Sequence, residues 1–160
     1  MEYRTIGYKS YGFILFYGII EAFLITAVVV FTQKYLETKE NLAILIIASA
    51  LVLVALVLFI FEFLEPKKKI QIDEKSLKLG FRNKETVILF DDFLDANIYG
   101  KSVISKSGKL KILTKKGFHF VENVADVEVV KTALLQAAYS YKIKEIERQE
   151  GESKNEDWSN

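Results

Sequence analysis

Residues Leu42 to Leu64 read LAILIIASALVLVALVLFIFEFL, twenty-three positions with no Lys, Arg, Asp or Asn and one acid, Glu62, near the far end. A helix rises about 1.5 Å per residue and the hydrocarbon core of a bilayer is about 30 Å thick, so this stretch is long enough to cross it. It is read as a transmembrane helix over 42–64. Upstream, Tyr11 to Phe31 (YGFILFYGIIEAFLITAVVVF) is a second apolar run, interrupted only by Glu21. It is longer than the roughly 7–15 apolar residues of a signal peptide and has no small-residue cleavage site, so a retained helix over 11–32 is expected. Tyr8, Tyr11 and Tyr17 toward one end and Tyr35 past the other suit the aromatic belts of membrane interfaces.

The nine residues Gln33 to Asn41 are too few for anything but a tight connection between antiparallel helices. Residues 1–65 are therefore expected to be a transmembrane hairpin, with Met1 to Ser10 as a polar lead. Lys34 and Lys39 lie in the connection, whereas Arg4, Lys9 and the run Pro66-Lys67-Lys68-Lys69 gather at the opposite side. The positive-inside rule then predicts a two-pass protein of the cell membrane with both termini in the cytoplasm.

Charge divides along the chain. Residues 1–65 hold four Lys/Arg against six Asp/Glu, residues 66–116 thirteen against six, and residues 117–160 five against nine. The basic block begins where the second apolar run ends, and that placement says more than the formal net charge of +1. With no cysteine there is no disulfide framework, thiolate zinc site or cysteine nucleophile.

Past Pro66 the apolar period changes from helical to two. Ile70 and Ile72 alternate with polar residues, Asp73 to Ser76 reads as a turn, and Leu77, Leu79 and Phe81 alternate with Lys78, Gly80 and Arg82. Further strands are expected at 85–90, 94–99, 103–105, 110–114 and 118–121, separated by turn residues at Arg82 to Lys84, Gly100, Ser107 to Lys109 and Lys115 to Gly117. Asn123 is expected to cap an amphipathic helix with stripe residues Val127, Val130, Leu134, Ala137, Ala138 and Tyr141, ending near Arg148. Residues 149–160 are expected to form a disordered acidic tail.

The segments KKKIQIDEKSLKLGF (67–81), VILFDDFLDANIY (87–99) and KLKILTKKGFHFVENVADVEVVKTALLQA (109–137) resemble the bacterial pleckstrin-homology-like family of small membrane proteins. The resemblance implies an α+β membrane protein in which a seven-stranded, partly open β-barrel, residues 66–148, is capped by a C-terminal helix and held at the membrane in the cytosol. It brings no catalytic or ligand motif. The basic signature by which eukaryotic relatives grip phosphoinositides is not reproduced, because Lys78 and Arg82 lack its spacing.

Few residues point to chemistry. Glu21 lies at the middle of the first apolar run, where an ionised carboxylate costs about 2.5 kcal/mol or more. With Gly18 and Ala22 flanking it at small-residue spacing, it is read as a helix-pairing element, the alternative being a polar path for protons or cations through an oligomer. Lys67, Lys68, Lys69, Lys78, Arg82, Lys84, Lys115 and Lys116 are candidates for anionic lipid headgroups, the first three also setting topology. Nucleic acid is not an expected partner, since aromatic residues do not interleave with the basic ones in sequence. The single histidine, His119, is expected to face away from a core entered by Phe118 and Phe120. The acids Asp91, Asp92 and Asp95 fit no calcium-loop spacing and read as turn residues. No enzymatic role, cofactor or metal is expected. The chain is expected to be a membrane-bound binding or scaffolding module, with a protein partner or further copies of itself as ligand.

Overall fold

A computed structural model describes residues 2–157 apart from 83, 103 and 104, with side chains described as far as 151. The chain divides into two compact units, one of residues 11–65 and one in which residues 1–10 join residues 66–160.

The first unit is two helices, α1 (Gly12–Thr38) and α2 (Leu42–Phe63). Both are long and apolar enough to cross a membrane. Helix α1 continues through most of the stretch expected to be a nine-residue connection, which shrinks to Lys39, Glu40 and Asn41. Lys39 and Asn41 take left-handed φ angles of 59° and 66°, and the Lys39 N–H donates to the Tyr35 carbonyl at 2.9 Å, closing α1. The seam of α2 is Leu45, Ala48, Ser49, Val52, Ala55 and Phe59, and only Ala48 and Ala55 are fully buried. Two small residues seven apart let the partner helix approach closely. Hydroxyls in the unit are satisfied locally, with Thr26, Thr32 and Ser49 donating to the carbonyls of Ala22, Val28 and Leu45. Large apolar side chains cover the outside.

The second unit contains two antiparallel sheets. Strands β1 (Arg4–Tyr8), β2 (Lys68–Ile72), β3 (Ser76–Gly80) and β4 (Glu85–Leu89) form one sheet in that order; β5 (Phe93–Lys101), β6 (Gly108–Thr114) and β7 (Gly117–Val124) form the other. Residues expected to be only a polar lead are thus the edge strand of a sheet, with Arg4 opposite Ile72 and Tyr8 opposite Lys68. Five residues with one inward apolar side chain, Ile6, are too short a signal to be read as a strand in isolation. Gly7 permits the pairing, since a Cβ there would sit 3.0 Å from the Ile70 Cβ and 3.2 Å from Val130 Cγ1.

The sheets do not close into a barrel. Among the described residues they are stitched where Lys9 bridges Val124, the Ser10 N–H donates to the Asn123 carbonyl and the Ala125 N–H to the Tyr8 carbonyl, both at 2.8 Å. Among the described residues, the total of seven strands is reached with β1. The strand expected at 103–105 falls partly on residues 103 and 104, outside the described residues, and Ser105 lies in a turn.

Helix α3 (Val127–Asp157) packs Val127, Val130, Leu134 and Ala138 onto a core that includes Ile70, Leu77, Leu79, Phe90, Leu110 and Ile112. Two expectations change here. Asn123 belongs to β7, with a left-handed φ of 57°, and the helix begins at Val127. At the other end the helix runs on through residues 149–157, expected to be a disordered tail; the expectation for 158–160 falls outside the described residues. Composition alone marks that stretch as unable to build a core, but a helix already nucleated by the sheet extends at one hydrogen bond per residue.

Candidate functional site

The eight basic candidates do not form one surface. In the first sheet Ile70 lies opposite Leu79, so the start of β2 is level with the end of β3. The closeness is tight enough that a Cβ on Gly80 would fall 2.4 Å from the Lys68 carbonyl oxygen, a position open only to glycine. Lys67 and Lys68 therefore share one end of the sheet with Arg82 and Lys84 in the β3–β4 turn, and all four are exposed. That turn is closed by the Phe81 N–H donating to the Lys84 carbonyl at 2.9 Å, and the Lys84 ammonium stands 5.9 Å from the Phe81 ring centroid.

The same end holds the points where the chain passes to and from the helical unit. The Lys9 N–H donates to the Lys67 carbonyl at 2.9 Å, which brings Ser10 and Pro66 together. Four exposed cations thus share the end of the sheet at which Ser10 and Pro66 lie.

Lys115 and Lys116 are elsewhere, in the β6–β7 turn. Lys115 donates its N–H to the Asp92 carbonyl at 2.9 Å, and Asp92 follows Phe90, whose N–H donates to the Lys75 carbonyl just before β3 begins. They sit at the other end of the first sheet, about 15 Å away by strand rise. The Lys116 ammonium lies 2.8 Å from Asp92 Oδ2 and, by that hydrogen bond, holds the Asp92 carboxyl below its ordinary range. Lys78 is midway, bonded to Glu85 at 2.6 Å and 5.6 Å from the Tyr3 ring centroid. Lys69 is 4 % exposed, which removes it from any headgroup surface. Of its neighbours in sequence, Lys68 is exposed and Ile70 is buried. Consecutive lysines that look equivalent on the page thus differ in burial.

The acids at 91, 92 and 95 are engaged separately. Asp91 accepts the Tyr141 hydroxyl, Asp92 takes Lys116, and Asp95 accepts the Asn97 amide at 2.6 Å. Burial and the bond to Asp91 raise the Tyr141 phenol above its ordinary value. Among the described residues no group of three or more acids and His is placed to hold a metal ion.

The outer face of the second sheet differs from expectation. Register sets Ile112 opposite His119 and Leu113 opposite Phe118. His119 therefore shares the inner face with buried Ile112, and Phe118 stands 58 % exposed on the outer face beside Phe120 and Tyr99. Choosing the more apolar parity of a strand assigned every side chain to the wrong face. Lys111 stands 4.8 Å from the Phe118 centroid and Lys109 5.7 Å from that of Phe120. Basic and aromatic residues do interleave here, through pairing between strands that a linear reading misses. The ammonium groups already occupy those rings, and Lys109 is paired with Glu122, so the face is largely self-satisfied.

In the helical unit, Gly18 faces Phe59, whose ring would lie 3.9 Å from a Cβ at that position. Glu21, partly buried one turn further, comes level with Ala55 and Leu56 by the same antiparallel matching, and its Oε2 is buried without a hydrogen-bond partner among the described residues. Ala22 is exposed on another side of α1. The expected trio is thus split, with Gly18 and Glu21 turned to α2 and Ala22 turned outward.

No protein-family model, curated protein or solved structure matches the chain.

Proposed function

We propose that the chain is a two-pass protein of the cell membrane whose sheet unit is a pleckstrin-homology-like binding or scaffolding module at the cytoplasmic leaflet. A protein is its main ligand and anionic headgroups are auxiliary ones. The observation that carries this reading is the convergence of Lys67, Lys68, Arg82 and Lys84 on the end of the sheet where both chain junctions lie. Cations beside a membrane exit point meet the anionic inner leaflet, each contributing about 1 kcal/mol. Pairing of β1 with β2 adds support, since it requires residues before and after the hairpin to be on one side of a membrane, consistent with an even number of crossings.

The test is native mass spectrometry of the full chain released from nanodiscs containing phosphatidylglycerol. Replacing Lys67, Lys68, Arg82 and Lys84 by Gln is expected to strip retained anionic lipid, whereas Lys115→Gln with Lys116→Gln leaves most of it. Equal retention by both variants rejects the headgroup role, and a mild-detergent pull-down identifies the protein ligand.

The orphan oxygen of Glu21 favours a second reading, a polar path through an assembly of hairpins. Loss of a proton or cation flux in Glu21→Gln vesicles, with assembly size unchanged, would establish it.

A further inference from the structure

We propose that α3 pairs with α3 of a second copy of this chain, parallel and side by side, through the face it turns away from the sheet. The inference rests on the two-pass reading in one respect: copies held by the same hairpin are concentrated in one bilayer.

At 100° per residue the inward stripe of Val127, Val130, Leu134 and Ala138 lies half a turn from a second stripe formed by Val129, Tyr139, Ile143 and Ile146. Those four are 68 %, 64 %, 56 % and 56 % exposed, a large apolar surface for a helix whose other face already has its partner. Beyond Tyr141 the helix has left the core, and through Gly151 every residue except Glu145 is exposed.

Spacing selects the occupant. Tyr139, Ile143 and Ile146 are separated by four and three residues, the a/d pattern of a coiled-coil seam. Placing Ile143 at a and Ile146 at d puts Gln136 at the preceding a position, where one polar residue fixes register. It also puts Lys142 at g and Glu147 at e. In a parallel pair a g residue faces the e residue five positions on in the partner, so Lys142 of each copy meets Glu147 of the other. Antiparallel pairing would set Lys142 against Lys142. Lys142 spends one ammonium proton on the Phe93 carbonyl at 3.2 Å and has two more to offer.

A bilayer fits this face less well, because residues 142–157 carry four Lys/Arg against six Asp/Glu and an anionic leaflet repels that excess. Three large apolar side chains per copy make a small seam. It suits partners concentrated in one membrane rather than free in solution.

The chain has no cysteine, so single replacements report proximity directly. Ile143→Cys and Ile146→Cys in the full chain, reconstituted in vesicles and mildly oxidised, are expected to form disulfide-linked dimers. The rate should exceed that of Lys144→Cys, on another face, by about tenfold or more. Glu147→Lys in the Ile146→Cys background is expected to slow linking, and adding Lys142→Glu to restore it. Equal rates at the three positions, no dimer at 143 and 146, or no response to charge reversal overturns the proposal. So does protection of Ile143→Cys from a water-soluble maleimide without cross-linking, the signature of a lipid-buried face. Cross-linking is expected to be the same in neutral and anionic vesicles, so its failure is distinguishable from failure of the headgroup role, which is read in retained lipid.

Discussion

The two units of this chain turn their apolar side chains in opposite directions. In the sheet unit sixteen hydrophobic residues are buried together, among them Phe90, Leu110 and Leu134. In the helical unit Ala48 and Ala55 are the buried pair, while Leu53, Phe23 and Phe63 are among the most exposed large apolar side chains. Water drives apolar groups inward in one unit; in the other, small residues at a seam and large ones outside are the pattern expected where the surroundings are as apolar as leucine. An exposed leucine thus has a different meaning on each side of Pro66.

The contrast is broken most severely by Leu134→Ala, which leaves a cavity beneath α3. A loss of about 2–5 kcal/mol is expected, measured by urea unfolding of the full chain in micelles. Leu53→Ala, which removes as many atoms from an exposed position of α2, is expected to leave that transition in place. A comparable loss from Leu53→Ala would mean that α2 buries this side chain against protein. The next effect belongs to the seam itself: Ala55→Leu inserts bulk between α1 and α2 and should cost about 1–3 kcal/mol. The readout is helix separation in a denaturing-detergent titration, with the sheet transition unchanged.

A smaller effect sits in the β2–β3 turn. Partial burial would push the Asp73 carboxyl up, but N–H groups of Lys75 and Ser76 and the hydroxyls of Ser76 and Tyr3 outweigh it and hold the group below its ordinary 3.8. Because the folded value is depressed, this contribution is complete above that ordinary value and disappears as pH falls through the folded one. Asp73→Ala is therefore expected to cost about 1 kcal/mol at neutral pH and to flatten the acid limb of stability measured between about pH 4 and 2. The least effect is expected from Lys78→Gln, whose pair with Glu85 lies in solvent on the acid's side, less than about 0.5 kcal/mol by thermal melting.

How much the sequence reveals follows the length of each signal. Runs of twenty apolar residues leave one reading, and both helices are where hydropathy places them, with α1 longer because Tyr35 and Leu36 prolong it past the last apolar cluster. The hairpins from Ile70 to Leu89 and the inward stripe of α3 were legible from period two and period 3.6. What could not be read was non-local. Strand β1 exists because β2 offers an edge sixty residues away. The separation of buried Lys69 from exposed Lys67 and Lys68 depends on what packs over each, and the division of the basic residues between two ends of a sheet depends on which turns that sheet brings together. The aromatic and lysine neighbours on β6 and β7 likewise meet only across a register that no linear pattern displays.

Strand β1 also imposes an order on biogenesis. It precedes β2 in the chain and has no sheet partner until β2 emerges, after both apolar helices have been made; at about 5–20 residues per second that delay is several seconds. The two strands pair only if residues 4–8 are held where β2 emerges. Without β1 in place β2 is left as a bare edge, so the sheet is complete only when residues from both sides of the helical unit have met.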